Sequence, residues 1–121
     1  MKIEVLQECF SVCKVCDYSG VDVSLPYCFT GRTENEHSLV IPTERVPADP
    51  LAREDGWRGF RLSGQLDFSL IGILARIASL LAEANISIFA VSTYDTDYVF
   101  LKEECFQEAL QLLAENGYSI A

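Results

Sequence analysis

The sequence is poor in the residues on which most enzymes and nucleic-acid-binding proteins depend. It has one histidine, His37, and nine basic residues against eighteen acidic ones, which gives a formal net charge of −9. A surface of this charge repels phosphate backbones and anionic membranes. The composition therefore argues against a nucleic-acid or membrane partner.

Signatures of catalysis and of membrane insertion are also missing. The sequence contains no serine elbow, phosphate-binding loop or zinc signature, and no cysteine is paired with a base at a recognisable spacing. No run of about eighteen apolar residues occurs, and Lys2, Glu4 and Glu8 interrupt any leader-like stretch at the start. We therefore predict a cytoplasmic protein that is not an enzyme.

The five cysteines are an odd number, which does not suit a closed disulfide framework and fits a reducing compartment. Cys9, Cys13 and Cys16 have the C-x3-C-x2-C spacing that binds an iron–sulfur cluster in radical S-adenosylmethionine enzymes. Those enzymes need a large barrel, however, and these cysteines lie in a strand-like segment with apolar residues close to every second position. We expect these cysteines to be buried as small hydrophobic residues, with no metal and no cofactor.

Half of the residues are hydrophobic, so a chain of 121 residues can bury a core. Leu70–Asn85 has the period of an amphipathic helix, with its apolar residues on one side, and Glu104–Asn116 is predicted as a second helix that ends at Gly117. Pro42–Gly56 carries three prolines and is interpreted as a connector with one short helical turn. The predicted strands are Lys2–Glu8, Phe10–Cys16, Tyr27–Arg32, His37–Ile41, Trp57–Leu62, Ile86–Tyr94, Tyr98–Leu101 and Tyr118–Ile120.

From Trp57 onward this order is βαββαβ, the ferredoxin-like α+β arrangement of four antiparallel strands and two helices. The first half resembles the second at an offset of 60 residues, which places Phe29–Ile41 over Phe89–Leu101 and Thr33 over Thr93. We interpret this as a duplication whose first copy has reduced helices. The predicted modules are residues 1–56 and 57–121.

A ligand site is expected where the second module's first helix begins. If that helix starts near Ser69, the N–H groups of its first turn, at Gly72 and Ile73, favour an anion. Thr93, Tyr94 and Asp97 lie at the end of the next strand and could receive a cationic group. The combination suits a zwitterion. The alternatives are that Asp97 only shapes its turn and that Gly72 only allows close packing.

The strings Leu66–Ala75 and Ile86–Tyr98 resemble bacterial tandem ACT-domain proteins of the aspartate-kinase-like kind, which are relatives of the CASTOR arginine sensors. The pieces Phe10–Val15 and Thr33–Val40 resemble the corresponding parts of the family's first module, more loosely. The resemblance implies two ACT-like modules, amino-acid binding between modules, and regulation in place of catalysis.

The resemblance also implies roles for individual residues. The backbone of Ser38 and Leu39 would close the ligand pocket from the first module. In the arginine sensors an acidic residue near the position of Ala75 helps to hold the ligand's amine, and alanine cannot do so. Arginine is therefore doubtful as the ligand.

Three functions stay open on the sequence. The first is an amino-acid-binding regulatory protein that forms a homodimer, because edge strands and the alanine stripe Ala75, Ala78 and Ala82 need covering. The second is a protein-interaction or assembly module with a vestigial ligand site. The third is an enzyme or redox-cluster protein. A response to ligand separates the first two, and bound metal would reveal the third.

Overall fold

The computed structural model describes residues 2–63 and 72–121. Its helices are α1 (Ile73–Glu83), α2 (Glu103–Glu115) and one 3-10 turn at Thr43–Arg45. Neither α-helix is long and apolar enough, within these described residues, to cross a membrane. The strands are β1 (Lys2–Val5), β2 (Phe10–Val15), β3 (Phe29–Arg32), β4 (His37–Pro42), β5 (Ala52–Ser63), β6 (Ile88–Ser92), β7 (Asp97–Lys102) and β8 (Ser119–Ile120).

The chain divides into two compact units. One unit is Glu8–Trp57, and the other combines Met1–Gln7 with Arg58–Ala121. Strand β5 supplies residues to both units. The first seven residues group with the second half of the chain, which the sequence did not indicate. The connector predicted over Pro42–Gly56 was too long, because β5 already begins at Ala52.

The unit Glu8–Trp57 is a sheet in the order β3-β4-β2-β5 with antiparallel neighbours. Its core contains Cys13, Val15, Leu39 and Ile41, all nearly or fully buried. The element order is strand, loop, strand, strand, 3-10 turn, strand. No α-helix occurs between residues 8 and 57, as the reduced-helix prediction requires.

The other unit has the predicted βαββαβ order, with one correction to its pairing. Strand β1 runs antiparallel beside β5, with Ile3 opposite Leu62, while β8 pairs with β1 in parallel. The sheet order is therefore β6-β7-β5-β1-β8. The expectation that the strands after Trp57 form an antiparallel sheet by themselves was wrong, because β1 takes the position beside β5.

Helices α1 and α2 cover one face of this sheet. Their inward residues follow the helical period: Ile77 and Leu81 of α1 are fully buried, and so are Ala109 and Leu113 of α2. The apolar face predicted for the first helix is confirmed for its described residues, although the helix begins at Ile73. The predicted start near Ser69 and Leu70 lies outside the described residues. The core is completed by Ile3, Phe60, Leu62, Ile86, Val99, Leu101 and Phe106.

The two β-hairpins correspond at the predicted offset of 60 residues. Arg32 pairs with His37 at the end of the β3–β4 hairpin, and Ser92 pairs with Asp97 at the end of the β6–β7 hairpin. In both turns the threonine N–H donates to the carbonyl three residues later, at 2.9 Å from Thr33 and 2.8 Å from Thr93. The 3-10 turn then follows β4 where α2 follows β7.

Gly59 in β5 is fixed by close packing. A Cβ added there would lie 2.7 Å from the Phe100 ring, and that ring is fully buried and stacked on Phe89 at a centroid distance of 5.0 Å. We expect Gly59→Ala to lower the free energy of unfolding by about 1–3 kcal/mol, since an overpacked core must shift. Urea denaturation measures this loss. Gly31→Ala is the matched control, because a Cβ at Gly31 meets nothing within 4 Å.

Equal stabilities of the Gly59→Ala and Gly31→Ala variants would contradict the packing argument. Phe100→Leu in the Gly59→Ala background should recover part of the loss, because the smaller side chain makes room for the added methyl group.

Candidate functional site

The start of α1 is held by a glycine. Gly72 precedes the helix with φ 80° and ψ 8°, a left-handed conformation that side chains other than glycine rarely adopt. The first helical hydrogen bond runs from the Arg76 N–H to the Gly72 carbonyl at 2.9 Å. The N–H groups of Ile73, Leu74 and Ala75 therefore precede the helical ladder. No side chain of the described residues caps this first turn, and none of its residues is acidic, so it favours an anion.

Thr93 and Tyr94 lie in the turn between β6 and β7. The Thr93 hydroxyl donates to the Thr96 carbonyl at 3.1 Å, and the Thr96 N–H donates to the Thr93 hydroxyl at 3.4 Å. The Tyr94 side chain is 87% exposed. The threonine therefore stabilises its own turn, and the aromatic ring is open to solvent.

Asp97 is the first residue of β7 and is bonded across the hairpin. Its Oδ1 accepts a hydrogen bond from the Ser92 hydroxyl at 2.5 Å. A carboxylate can accept about four hydrogen bonds, so this contact leaves capacity for a ligand. Asp97 thus has a structural contact whether or not it binds a ligand.

Ser38 and Leu39 lie in β4, within the unit Glu8–Trp57. Leu39 is fully buried, and β4 is paired on both sides, with Leu39 opposite Cys13 of β2 and Thr30 of β3. The Ser38 carbonyl accepts a hydrogen bond from the Tyr18 hydroxyl at 2.8 Å. The backbone of this pair is therefore largely committed to its own sheet.

A polar cavity of about 220 Å³ lies beside the Thr93 turn. Arg61 donates two hydrogen bonds to Glu4 across it, from Nε at 3.2 Å and from Nη2 at 3.0 Å. These bonds hold the pKa of Glu4 below its usual value. No local pattern in the sequence indicates this pair, because the pairing of β1 with β5 brings the two residues together. The lining residues are Glu4, Arg61, Leu62, Ser63, Thr93, Asp95, Thr96 and Tyr98.

The cysteines are dispersed between surface and interior. Cys9 and Cys16 are exposed, so the prediction that they are buried was wrong. Cys13 is buried, and burial raises the pKa of its thiol. Within residues 2–63 and 72–121, no group of three or more His, Cys, Asp or Glu side chains could hold a metal ion. The three-cysteine spacing therefore does not become a ligand cluster in the described structure.

The sequence profile described as "ACT domain" matches residues 52–115. The chain belongs to the ACT domain family. The predicted ACT membership and the ferredoxin-like α+β fold are confirmed. The match covers residues 57–115 of the second predicted module together with the end of the predicted connector.

Three known proteins are similar to this ACT chain over nearly its whole length. The mouse "Cytosolic arginine sensor for mTORC1 subunit 1" is 32% identical over an alignment of 128 positions, gaps included, which covers 97% of this chain and 39% of the sensor. The solved structure of an Agrobacterium tumefaciens protein has a TM-score of 0.88 and 27% identity, and covers 99% of this chain and 91% of that one. The ligand-free regulatory subunit of Thermus thermophilus aspartate kinase has a TM-score of 0.63 at 8% identity, covering 95% of this chain and 96% of that one.

These likenesses differ in what they establish for the ACT chain. The chain spans about two fifths of the length of the mouse sensor. The likeness to the aspartate kinase subunit, at 8% identity, shows the fold alone. The resemblance to arginine sensors that the sequence suggested is confirmed as homology to the mouse sensor.

The predicted ligand residues of this ACT chain lie in several places. Gly72 and Ile73 form the start of α1, while Thr93, Tyr94 and Asp97 form the β6–β7 turn and the residue after it. Thr93 lines the polar cavity, whereas Ile73 lines a different cavity of about 380 Å³. The ligand-binding roles of these residues, and of Ser38 and Leu39, stay predictions.

Proposed function

We propose that this chain is a regulatory ACT protein that binds an amino acid and catalyses no reaction. Membership of the ACT family supports a regulatory role. The homologous mouse protein is named an arginine sensor, and the aspartate kinase neighbour is named a regulatory subunit. We also propose that the chain works in the cytoplasm, in line with the word "cytosolic" in the sensor's name.

The start of α1 is the observation that carries this proposal. Gly72 precedes the helix without a side-chain cap from the part of the chain that the structure describes, and the first turn holds no acidic residue. A ligand carboxylate would accept hydrogen bonds from the N–H groups there, beginning at Ile73. Thr93, Tyr94 and Asp97 would receive the ammonium group or a basic side chain. Arginine stays doubtful as the ligand because Ala75 provides no carboxylate.

We further propose that the chain consists of two ACT-like modules, residues 1–56 and 57–121, and forms a homodimer. The shared hairpin register and the reduced helices of the first unit support a duplication. By family resemblance, Ser38 and Leu39 of the first module contribute to the ligand site. Among the described strands, β3 pairs only with β4 and β6 only with β7, so both expose an edge that a second copy could cover.

A second candidate function is a protein-interaction or assembly module with a vestigial ligand site. The internal contacts of the predicted site favour it, since Thr93 closes its own turn and Asp97 binds Ser92. A purely structural turn needs no ligand to explain these residues.

A thermal-shift screen of the twenty amino acids tests the two candidates. A ligand bound only by the folded protein, at a hundred times its dissociation constant, stabilises it by about 2.7 kcal/mol. We expect Asp97→Asn to weaken the affinity about tenfold to a hundredfold, because it removes a charge-assisted hydrogen bond and keeps the side chain's shape. Titration calorimetry with the strongest amino acid from the screen measures the change.

Ser92→Ala is the matched control for Asp97→Asn. It removes the hydrogen bond within the hairpin and keeps the carboxylate, so it should lower the ligand-free melting temperature and leave the affinity nearly unchanged. If Asp97→Asn lowers only the ligand-free melting temperature, Asp97 is structural. If no amino acid shifts the unmodified protein, the assembly module replaces the sensor.

A further inference from the structure

A cavity of about 380 Å³ lies between the first two turns of α1 and the segment that follows α2. It belongs entirely to the unit that contains both helices. Its volume is within the range of small-molecule pockets, roughly 300–1,000 Å³. The lining residues are Ile73, Arg76, Leu80, Asn116, Gly117 and Tyr118.

The lining is about equally apolar and polar, and it holds one charged side chain among the described residues. Ile73, Leu80 and Tyr118 are half-buried and pack against the helical core. Among the described residues that line the cavity, Arg76 is the one charged residue, and none is acidic. Arg76 is exposed and makes no hydrogen bond or ion pair with any residue that the structure describes. Within this described lining, the cavity therefore offers a positive charge without an acidic partner, next to three partly buried apolar side chains.

The stability of α1 does not explain this arginine. Arg76 lies near the N-terminal end of α1, which begins at Ile73. Cations are disfavoured there because that end of a helix already carries a partial positive charge. Long side chains on a helix also extend toward its N-terminus, which brings the guanidinium still closer to that end.

The C-terminus of α2 does not explain it either. The carbonyls of Leu112, Leu113 and Ala114 at that end already have partners within their own segment. The N–H groups of Asn116 and Tyr118 donate to Leu113 at 3.1 Å, and the Gly117 N–H donates to Ala114 at 3.2 Å. The Asn116 side-chain amide donates to Leu112 at 2.8 Å. Arg76 is therefore not needed to satisfy these three carbonyls.

We propose that this cavity is a second small-molecule site, which takes a monocarboxylate with a short branched or aromatic apolar body. The carboxylate pairs with Arg76, and the apolar body packs on Ile73, Leu80 and Tyr118. An α-ammonium group would be repelled by the positive charge of Arg76, and the described lining residues include no carboxylate to bind it. The site therefore selects acids without an amino group, in contrast to the zwitterion proposed for the Gly72–Asp97 site.

The test titrates the intact protein with 4-methylpentanoate and follows backbone amide NMR signals, including that of Gly117. Leucine and 4-methylpentanamide serve as probes with the same branched end but with an added ammonium group or without the negative charge. We expect saturable shifts at the cavity with the carboxylate at millimolar concentration, and none there with the other two. Absence of shifts with 4-methylpentanoate, or equal binding of the amide, would overturn the proposal.

Two variants at Arg76 complete the test. Arg76→Gln should weaken 4-methylpentanoate binding at least about tenfold, since it removes the charged partner, while Arg76→Lys should keep part of it. Unchanged binding by Arg76→Gln would refute the role of Arg76. Asp97→Asn should leave this binding intact, so failure of the amino-acid site and failure of this site are observed separately.

Discussion

Ile3→Ala is expected to lower the free energy of unfolding by about 2–5 kcal/mol, the range for truncating a fully buried isoleucine. Ile3 is completely inaccessible and packs in the same core as Phe60, Ile77 and Leu113. The strand partners of β1 are distant in the sequence, since Ile3 pairs with Leu62 and with Ile120. Chemical denaturation of the variant in urea measures the loss.

Lys2→Ala is the control for this prediction. Lys2 lies on the same strand with its side chain exposed, so its truncation should change the stability by no more than about 0.5 kcal/mol. A loss below about 1 kcal/mol for Ile3→Ala would mean that the site collapses around the cavity or that β1 does not belong to this core.

The sequence predicted β1 as a strand and could not predict its partners. Alternating burial is a local property of a strand, so a pattern in Lys2–Val5 is visible without knowing the neighbour. Which strand lies beside it depends on packing across more than fifty intervening residues. The same limit hid the Glu4–Arg61 pair, whose two members are 57 residues apart.

The helices and hairpins were predicted well because their signals are local. The period of α1 placed Ile77 and Leu81 on the buried side. The hairpin turns were marked by polar residues between apolar strands, and Thr33 and Thr93 form equivalent turn bonds.

The first half of β5 was missed for an identifiable reason. Arg53, Glu54 and Asp55 are exposed, so this part of the strand lacks the apolar alternation by which strands are recognised. A polar contact joins it to β2, since the Ser11 hydroxyl donates to Asp55 Oδ1 at 2.5 Å. Within β5, the Arg53 Nε–H donates to the same oxygen at 2.8 Å. A charge-rich segment after Pro50 thus forms a strand through its partners.

The candidate site was only partly accessible to prediction. The glycine before α1 was found from the sequence, and its positive φ supplies the reason for glycine at that position. The hydrogen bond from Ser92 to Asp97 depends on cross-strand pairing. The sequence alone could not show that the Asp97 carboxylate already accepts a hydrogen bond from Ser92.

Phe106→Ala is expected to cost about 3–5 kcal/mol of unfolding free energy, the range for removing a buried aromatic side chain. Phe106 is 2% exposed and anchors α2 in the core. The Phe106 ring also makes a cation–π contact with Arg58, whose guanidinium carbon lies 4.6 Å from the ring centroid. The Arg58 Nη2–H donates to the Leu6 carbonyl at 3.2 Å, while its buried Nε–H has no hydrogen-bond partner among the described residues.

Loss of the ring should therefore remove an apolar anchor and the surface that faces a partly buried cation. We expect Phe106→Ala and Arg58→Met to be coupled by about 0.5–2 kcal/mol in a double-mutant cycle, the range for a cation–π contact. Glu108→Ala, at an exposed position on the same helix, controls for effects on α2 alone and should change the stability little. Additive losses for Phe106→Ala and Arg58→Met would show that the arginine is held by its backbone contact to Leu6 and not by the ring. The loss for Phe106→Ala alone measures how much of this unit's stability depends on the anchoring of α2. The corresponding 3-10 turn at Thr43–Arg45 buries no residue, so α2 has no equivalent anchor in the other unit's 3-10 turn.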